Sequence, residues 1–210
     1  MAEIKIGRLV LGSYRTNCYF VYREGSPDVV VFDPADQGEK IYNAFTDKGF
    51  VVKAILLTHG HFDHIFGVRK LKTLSECKIY APKMEERLLS DPNLNVSEPM
   101  GRPTVVEPDF WLRDGQEITL ADITIKTIHT PGHTEGSTSY YIEEAGFLIS
   151  GDTLFALSIG RSDFPTGSEY TLLESVRNKL FVLPDETKVY PGHGDSTTIG
   201  FEKENNPFFQ

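Results

Sequence analysis

The chain has 210 residues, enough for one large domain or two small ones, and with 40% of them hydrophobic it can bury a sizeable core. Its formal net charge of −9 offers no basic field for a phosphate backbone, which counts against nucleic acid as a partner. No run approaches membrane-spanning length, and residues 1–10 alternate apolar and polar without the regions of a secretory leader, so a cytoplasmic protein acting away from membranes is expected.

Glu3–Val10, Cys18–Arg23 and Val29–Phe32 read as the strands of a meander, joined by turns containing Gly12-Ser13 and Gly25-Ser26-Pro27-Asp28. Asp33-Pro34 closes the third strand, and Gln37–Lys48 carries Ile41, Ala44 and Phe45 at helical spacing before Gly49. The next strand, Val51–Leu57, runs into THGHFDH at Thr58–His64, which places His59, His61, Asp63 and His64 within six consecutive positions. Imidazoles and carboxylates so concentrated at the end of a buried strand are costly to bury unpaired and suit a divalent metal. His59 and His61 alternate in an extended segment and point the same way, while Asp63 and His64 diverge as the chain turns into a helix, an arrangement suited to two neighbouring metals.

Beyond the cluster, Ile65–Leu74 has the spacing of an amphipathic helix, Lys78–Tyr80 reads as a short strand and Lys83–Leu89 as a second helix. Asp91–Pro103 follows as a loop of a length that is either functional or mobile, with a cover over the site as one role. The second half loosely repeats this order, with strands Glu117–Leu120, Ile123–His129, Ser139–Glu143 and Phe147–Ser150, helix Tyr170–Leu180 and strand Lys188–Tyr190. Two such halves are expected to pack sheet on sheet with helices outside, giving an α/β fold, a four-layer αββα sandwich formed as one domain over residues 1–210.

Three further ligand candidates each follow an apolar strand: His133 in TPGHTEGS, Asp152 in SGDTLF and His193 in YPGHGD. The adjoining glycines supply the tight turns that such ligands need. His129 is assigned to packing or to the support of a ligand. Cys18 and Cys77 form no CxxC pair and sit in strand-like contexts, so they are expected to be buried and reduced. Nothing distinguishes Phe164, Trp111 or the tyrosines from core aromatics.

THGHFDH followed by TPGHT, SGDTLF and PGHG resembles the metallo-β-lactamase superfold, in the hydrolase branch that includes glyoxalase II. The resemblance spans nearly the whole chain, with NCY at Asn17–Tyr19 and TTIG at Thr197–Gly200. It implies one metal held by His59, His61 and His133, a second by Asp63, His64 and His193, and Asp152 bridging both. Two divalent ions are implied, zinc first with iron or manganese as alternatives, and Asp63 and Asp152 become the carboxylates of the catalytic centre. The end at Asn206-Pro207-Phe208, without the helical domain by which classical glyoxalase II holds glutathione, and GRSDFPTGS at Gly160–Ser168 look like the compact bacterial glyoxalase-II-like proteins. In those, the latter segment replaces a lysine-bearing loop, and Arg161 falls near the cation that holds the substrate's carboxylate.

The implied activity is hydrolysis of a small-molecule thioester such as S-lactoylglutathione. Two alternatives remain on the same fold: a persulfide dioxygenase, which shares a GRTDF-like stretch but uses one iron held by two histidines and one aspartate, and a hydrolase of lactones or other esters. A zinc-stabilised binding module would favour a closed four-ligand site instead.

Overall fold

Two sheets of six strands form the centre of the computed structural model, which describes residues 2–210. The first sheet holds β1 (Ile4–Leu11), β2 (Thr16–Arg23), β3 (Asp28–Phe32), β4 (Val51–Leu56), β5 (Lys78–Pro82) and β6 (Phe110–Leu112) side by side in that order. β1 to β3 pair antiparallel and β3 to β6 parallel. The rest of the chain supplies β7 (Glu117–Leu120), β8 (Ile123–His129), β9 (Thr138–Ile142), β10 (Phe147–Gly151), a small hairpin of β11 (Leu154–Phe155) and β12 (Ser158–Ile159), then β13 (Lys188–Pro191) and β14 (Thr197–Thr198). The second sheet runs β14-β13-β10-β9-β8-β7, and only β10 and β13 are parallel in it. Helices α1 (Gly38–Thr46), α2 (Phe62–Ile65), α3 (Val68–Ser75) and α4 (Glu86–Ser90) belong to the first half, α5 (Glu169–Ser175) and α6 (Ile199–Asn205) to the second.

Strand alternation sorts the side chains into layers. Val29 and Val31 face outward onto Ile41 and Phe45 of α1 and Val68 and Leu71 of α3. Val30 and Phe32 face inward and meet Ile123, Ile125, Tyr140 and Ile149 of the other sheet. On its far side Leu148 and Val189 pack against Leu172 of α5 and Ile199 of α6. The four-layer αββα order is therefore the one expected. Both outer helices of the second half start on a hydroxyl cap: Ser168 accepts from the Thr171 amide, and Thr198 from the Phe201 amide.

Leu56 is fully buried between the sheets. Leu56→Ala should lower stability by about 2–5 kcal/mol, since a cavity remains where the side chain was. A lower urea midpoint with an unchanged slope is the expected observation.

Several elements differ from the sequence expectation. The helix expected over Ile65–Leu74 is two pieces, α2 and α3, with the Gly67 amide leaving the helical ladder to donate to the Ala35 carbonyl at 3.2 Å, a close approach that a Cβ, 2.0 Å from the Pro34 carbonyl oxygen, would block. The one expected over Lys83–Leu89 opens as a single 3₁₀ turn, Lys83–Glu85, before α4. The Tyr170–Leu180 helix is α5 continued by a wider π turn over Val176–Leu180. β6, β11, β12, β14 and α6 were not expected; the strands among them are only two or three residues long and are defined by pairing rather than by alternation. Cys18 and Cys77 are both unbridged and buried, and burial pushes both thiols above their ordinary range. Among the described residues, no helix is long and apolar enough to cross a membrane.

Candidate metal centre

Parallel pairing brings the carboxyl ends of β3 and β4 in one sheet, and of β10 and β13 in the other, to a common edge, where α/β folds place their sites. Asp33 follows β3, Thr58 to His64 follow β4, Asp152 follows β10 and His193 follows β13. His133 comes from the turn between β8 and β9.

Most of these residues fall into two groups, and Asp33 with His59 and His64 makes a third, overlapping set whose ligand atoms are equally close. In the first, His133 Nε2 lies 2.7 Å from His61 Nδ1 and 3.2 Å from His59 Nε2. In the second, Asp63 Oδ2 lies 3.2 Å from His193 Nε2 and 3.7 Å from His64 Nε2. Asp152 reaches both, with Oδ1 3.4 Å from His64 Nε2 and Oδ2 3.6 Å from His133 Nε2 and 3.5 Å from His193 Nε2. His59 through Nε2 and His61 through Nδ1 both reach His133, with their rings at 87° to each other. Asp63 and His64 converge rather than diverge, because α2 begins at Phe62 and its first turn delivers both heads to one place.

The donor set fits metal ions. Each group could hold a cation by geometry, since its ligand atoms lie within 4.8 Å of one another. His61 Nε2, His64 Nε2 and Asp152 Oδ1 are buried with no hydrogen-bond partner, which is rare unless an ion or water completes them. Burial, then the neighbouring rings, holds His59 and His61 well below the ordinary histidine range, and burial also lowers His133, so this group presents neutral imidazoles. Burial works the same way on His64 but is outweighed by the Asp152 and Asp63 carboxylates, which raise it well above that range. For Asp152 burial works upward and is outweighed by His64, His193 and His133, so its carboxyl sits well below the usual range.

Residues around these candidate ligands hold them in place. Asp33 accepts from the Thr58 amide (2.8 Å), the Thr58 hydroxyl (2.7 Å) and His64 Nδ1–H (3.0 Å). His133 Nδ1–H donates to the Arg161 carbonyl at 2.6 Å, which turns Nε2 towards the other ligands, and the Thr16 hydroxyl donates to Asp63 at 2.9 Å. Gly192 must be glycine, since a Cβ there would lie 2.1 Å from Asp152 Oδ1. Sequence reasoning missed Asp33 and Thr16; the one available signal was an aspartate at the end of a strand adjacent to the ligand-bearing one. His129 lies in neither group, and its Nε2–H donates to the Glu135 carbonyl at 2.9 Å.

The groups open into a cavity of about 580 Å³ lined by His61, Asp63, His133, Asp152 and His193, with walls from Tyr14, Phe62, Val96, Met100, Phe155, Ile159 and Phe164. Val96 and Met100 belong to the Asp91–Pro103 segment, which is firmly tied. Asn95 Nδ2 donates to the carbonyls of Leu88 (3.0 Å) and Thr104 (2.9 Å), and the Tyr14 hydroxyl donates to Met100 Sδ at 3.2 Å. Arg161 also lines the cavity. Its guanidinium is paired bidentately with Asp163 at 2.7 Å and stacks 3.7 Å over Phe164, whose ring meets His61 edge-on at 5.4 Å. Phe164 is thus a wall of the site, a placement that its sequence context did not signal.

A two-sheet sandwich carrying a histidine and aspartate cluster at the strand ends is the frame of a metal-dependent hydrolase. The chain belongs to the metallo-beta-lactamase superfamily, which residues 11–193 match. Among its relatives, "Probable metallo-hydrolase YqgX" of Bacillus subtilis is 37% identical over 207 residues, 98% of this chain and 97% of that one. "Hydroxyacylglutathione hydrolase GloC" of Haemophilus influenzae is 32% identical over 199 residues, 93% of each. Among solved structures, BLEG-1 B3 metallo-beta-lactamase superposes with a TM-score of 0.93 at 39% identity, covering 98% of this chain and 100% of that one. TTHA1623 in a di-iron-bound form follows at 0.86 and 34%, covering 96% and 99%.

Proposed function

We propose that this member of the superfamily is a dinuclear hydrolase of thioesters of the S-lactoylglutathione type. The observation that carries the reading is Asp152, whose Oδ2 faces His133 of one group and His193 of the other while its Oδ1 faces His64. His59, His61 and His133 would hold one divalent ion, Asp63, His64 and His193 the other, and Asp152 both. Zinc suits these nitrogen and carboxylate donors, and iron or manganese accepts them too. Bound in pairs, such ions polarise a carbonyl and ionise a water near neutral pH.

The chain's own part is to bind and orient. Asp63 is held for its role by Thr16, and His133 by the Arg161 carbonyl. Phe62, Val96, Phe155 and Phe164 give the cavity apolar walls that displace water from around the scissile group. The Arg161 guanidinium, on exchanging Asp163 for substrate, binds a carboxylate in the bidentate manner that the ion pair already displays. A departing thiolate is a weak base and needs no strong acid from the protein. The GloC relative supports this substrate class, and the di-iron-bound neighbour supports two ions.

The test is metal content and S-lactoylglutathione hydrolysis on one preparation purified without added metal, with oxygen uptake on glutathione persulfide run in parallel. Two ions per chain with thioester turnover support the proposal. One iron with oxygen consumption replaces it with the dioxygenase reading, and two ions without thioester turnover point to another ester or lactone.

Arg161→Ala leaves the carbonyl that holds His133 in place and removes only the guanidinium. It should raise KM for S-lactoylglutathione more than it lowers kcat. Steady-state constants equal to wild type would discard the assignment.

A further inference from the structure

Glu85 ends the 3₁₀ turn ahead of α4, is completely buried, and has no ion-pair partner among the described residues. Instead its carboxylate accepts from three donors on two separate loops. Oε2 accepts from the Gly60 amide at 2.7 Å; Oε1 accepts from the Gly136 amide at 2.9 Å and the Thr134 hydroxyl at 2.5 Å. Gly60 stands between His59 and His61, and Thr134 follows His133.

Packing around the carboxylate is close. A Cβ on Gly60 would lie 2.9 Å from Oε2, and one on Gly136 2.5 Å from the Glu85 backbone nitrogen. The glycines of THGH and HTEG therefore seat this residue, a reason the ligand motifs alone do not reveal. The two loops also meet where the Thr138 amide donates to the Thr58 carbonyl at 3.0 Å, but that bond lies on the strand side of the histidines. Glu85 spans them at the histidines themselves.

We propose that Glu85 is a positioning residue: by tying the Gly60 and Gly136 amides and the Thr134 hydroxyl to one carboxylate, it sets the spacing of His59 and His61 against His133 and so the cation affinity of that group. This rests on the reading that these three histidines hold a metal. Burial pushes the Glu85 carboxyl up to about 7 against the pull of Thr134 and the two amides. The position is thus an expensive one for an acid, and a role confined to holding the fold would be met more cheaply by a neutral group.

Glu85→Gln and Thr134→Val test it. Glutamine keeps the shape but turns one acceptor into a donor, so either Gly60 or the Thr134 and Gly136 pair loses its partner. Valine removes one donor and leaves the carboxylate in place, and it stands in should the glutamine variant fail to fold. Each metal-free protein is titrated with cobalt(II), reading the visible absorption spectrum and the affinity by chelator competition, with urea unfolding of the metal-free form alongside.

In Glu85→Gln, one of the two cobalt-binding steps is expected to weaken about 10- to 100-fold with an altered spectrum, while the other changes less. Thr134→Val is expected to give a smaller loss at the same step. Wild-type affinity and spectrum in the variants, with only the urea midpoint lowered, would make Glu85 a scaffold residue and overturn the proposal. Failure of the wild-type protein itself to take up cobalt would instead remove the metal reading on which the proposal stands.

Discussion

Asp152→Ala is expected to retain at most one metal ion per chain and to lose thioester hydrolysis by well over the roughly 10- to 100-fold typical of residues that only support ligands. The Asp152 carboxylate reaches both clusters, 3.4 Å from His64 on one oxygen and 3.5 and 3.6 Å from His193 and His133 on the other. On the proposed two-ion reading, removing it would take a ligand from each ion and, with it, the negative charge that would let two cations sit close together. Asp152→Asn separates these effects, since the amide keeps the shape and loses the charge. Elemental analysis after dialysis is the direct measurement. Full occupancy in the alanine variant would falsify the bridging assignment.

The second large effect should come from a residue outside the proposed ligand set. Asp33→Asn leaves one acceptor where two carboxylate oxygens now receive the Thr58 amide, the Thr58 hydroxyl and His64 Nδ1–H. With the new carbonyl on the Thr58 amide, the side-chain NH₂ faces the histidine and donates to Nδ1. The ring proton then moves to Nε2, the atom that faces Asp63 and Asp152 and that ligation requires unprotonated. Affinity of the Asp63, His64 and His193 group should fall about 10- to 100-fold. The metal-free protein should also lose about 1–3 kcal/mol for the buried donor left unpaired. Calorimetric titration with zinc and urea unfolding read the two effects apart. A variant that binds both ions as wild type does would show that Asp33 does not set the orientation of His64.

Much of the candidate site was legible because its candidate ligands announce themselves locally. Four fall within Thr58–His64, and the other three sit in glycine-bearing turns directly after apolar strands. The layers were legible for a similar reason: Val29 to Phe32 and the strands of the second half alternate faces residue by residue. What escaped depends on partners far along the chain. Asp33 meets its partner 25 residues away, and Thr16 meets Asp63 47 residues away. The contact that orients His133 uses the backbone of Arg161, so the identity of that side chain carries no trace of it. The direction of Asp63 against His64 was misjudged because the start of α2 depends on where Phe62 packs, its amide donating to the Asn95 carbonyl in a distant segment. β6 was overlooked because three residues beside Pro108 show no period; β5 alone makes them a strand.

The Asp91–Pro103 segment, fastened through Asn95 and Met100, changes how encounter with a substrate should be pictured. Fastened in this way, the segment would cost less ordering entropy on an arriving molecule than an unanchored loop of its length, and entry would then be governed by diffusion to the cavity. Val96 and Met100 then influence how long each visitor stays. Selectivity built this way is a matter of residence time, and relatives that differ along this segment would retain different molecules over the same metal-binding floor.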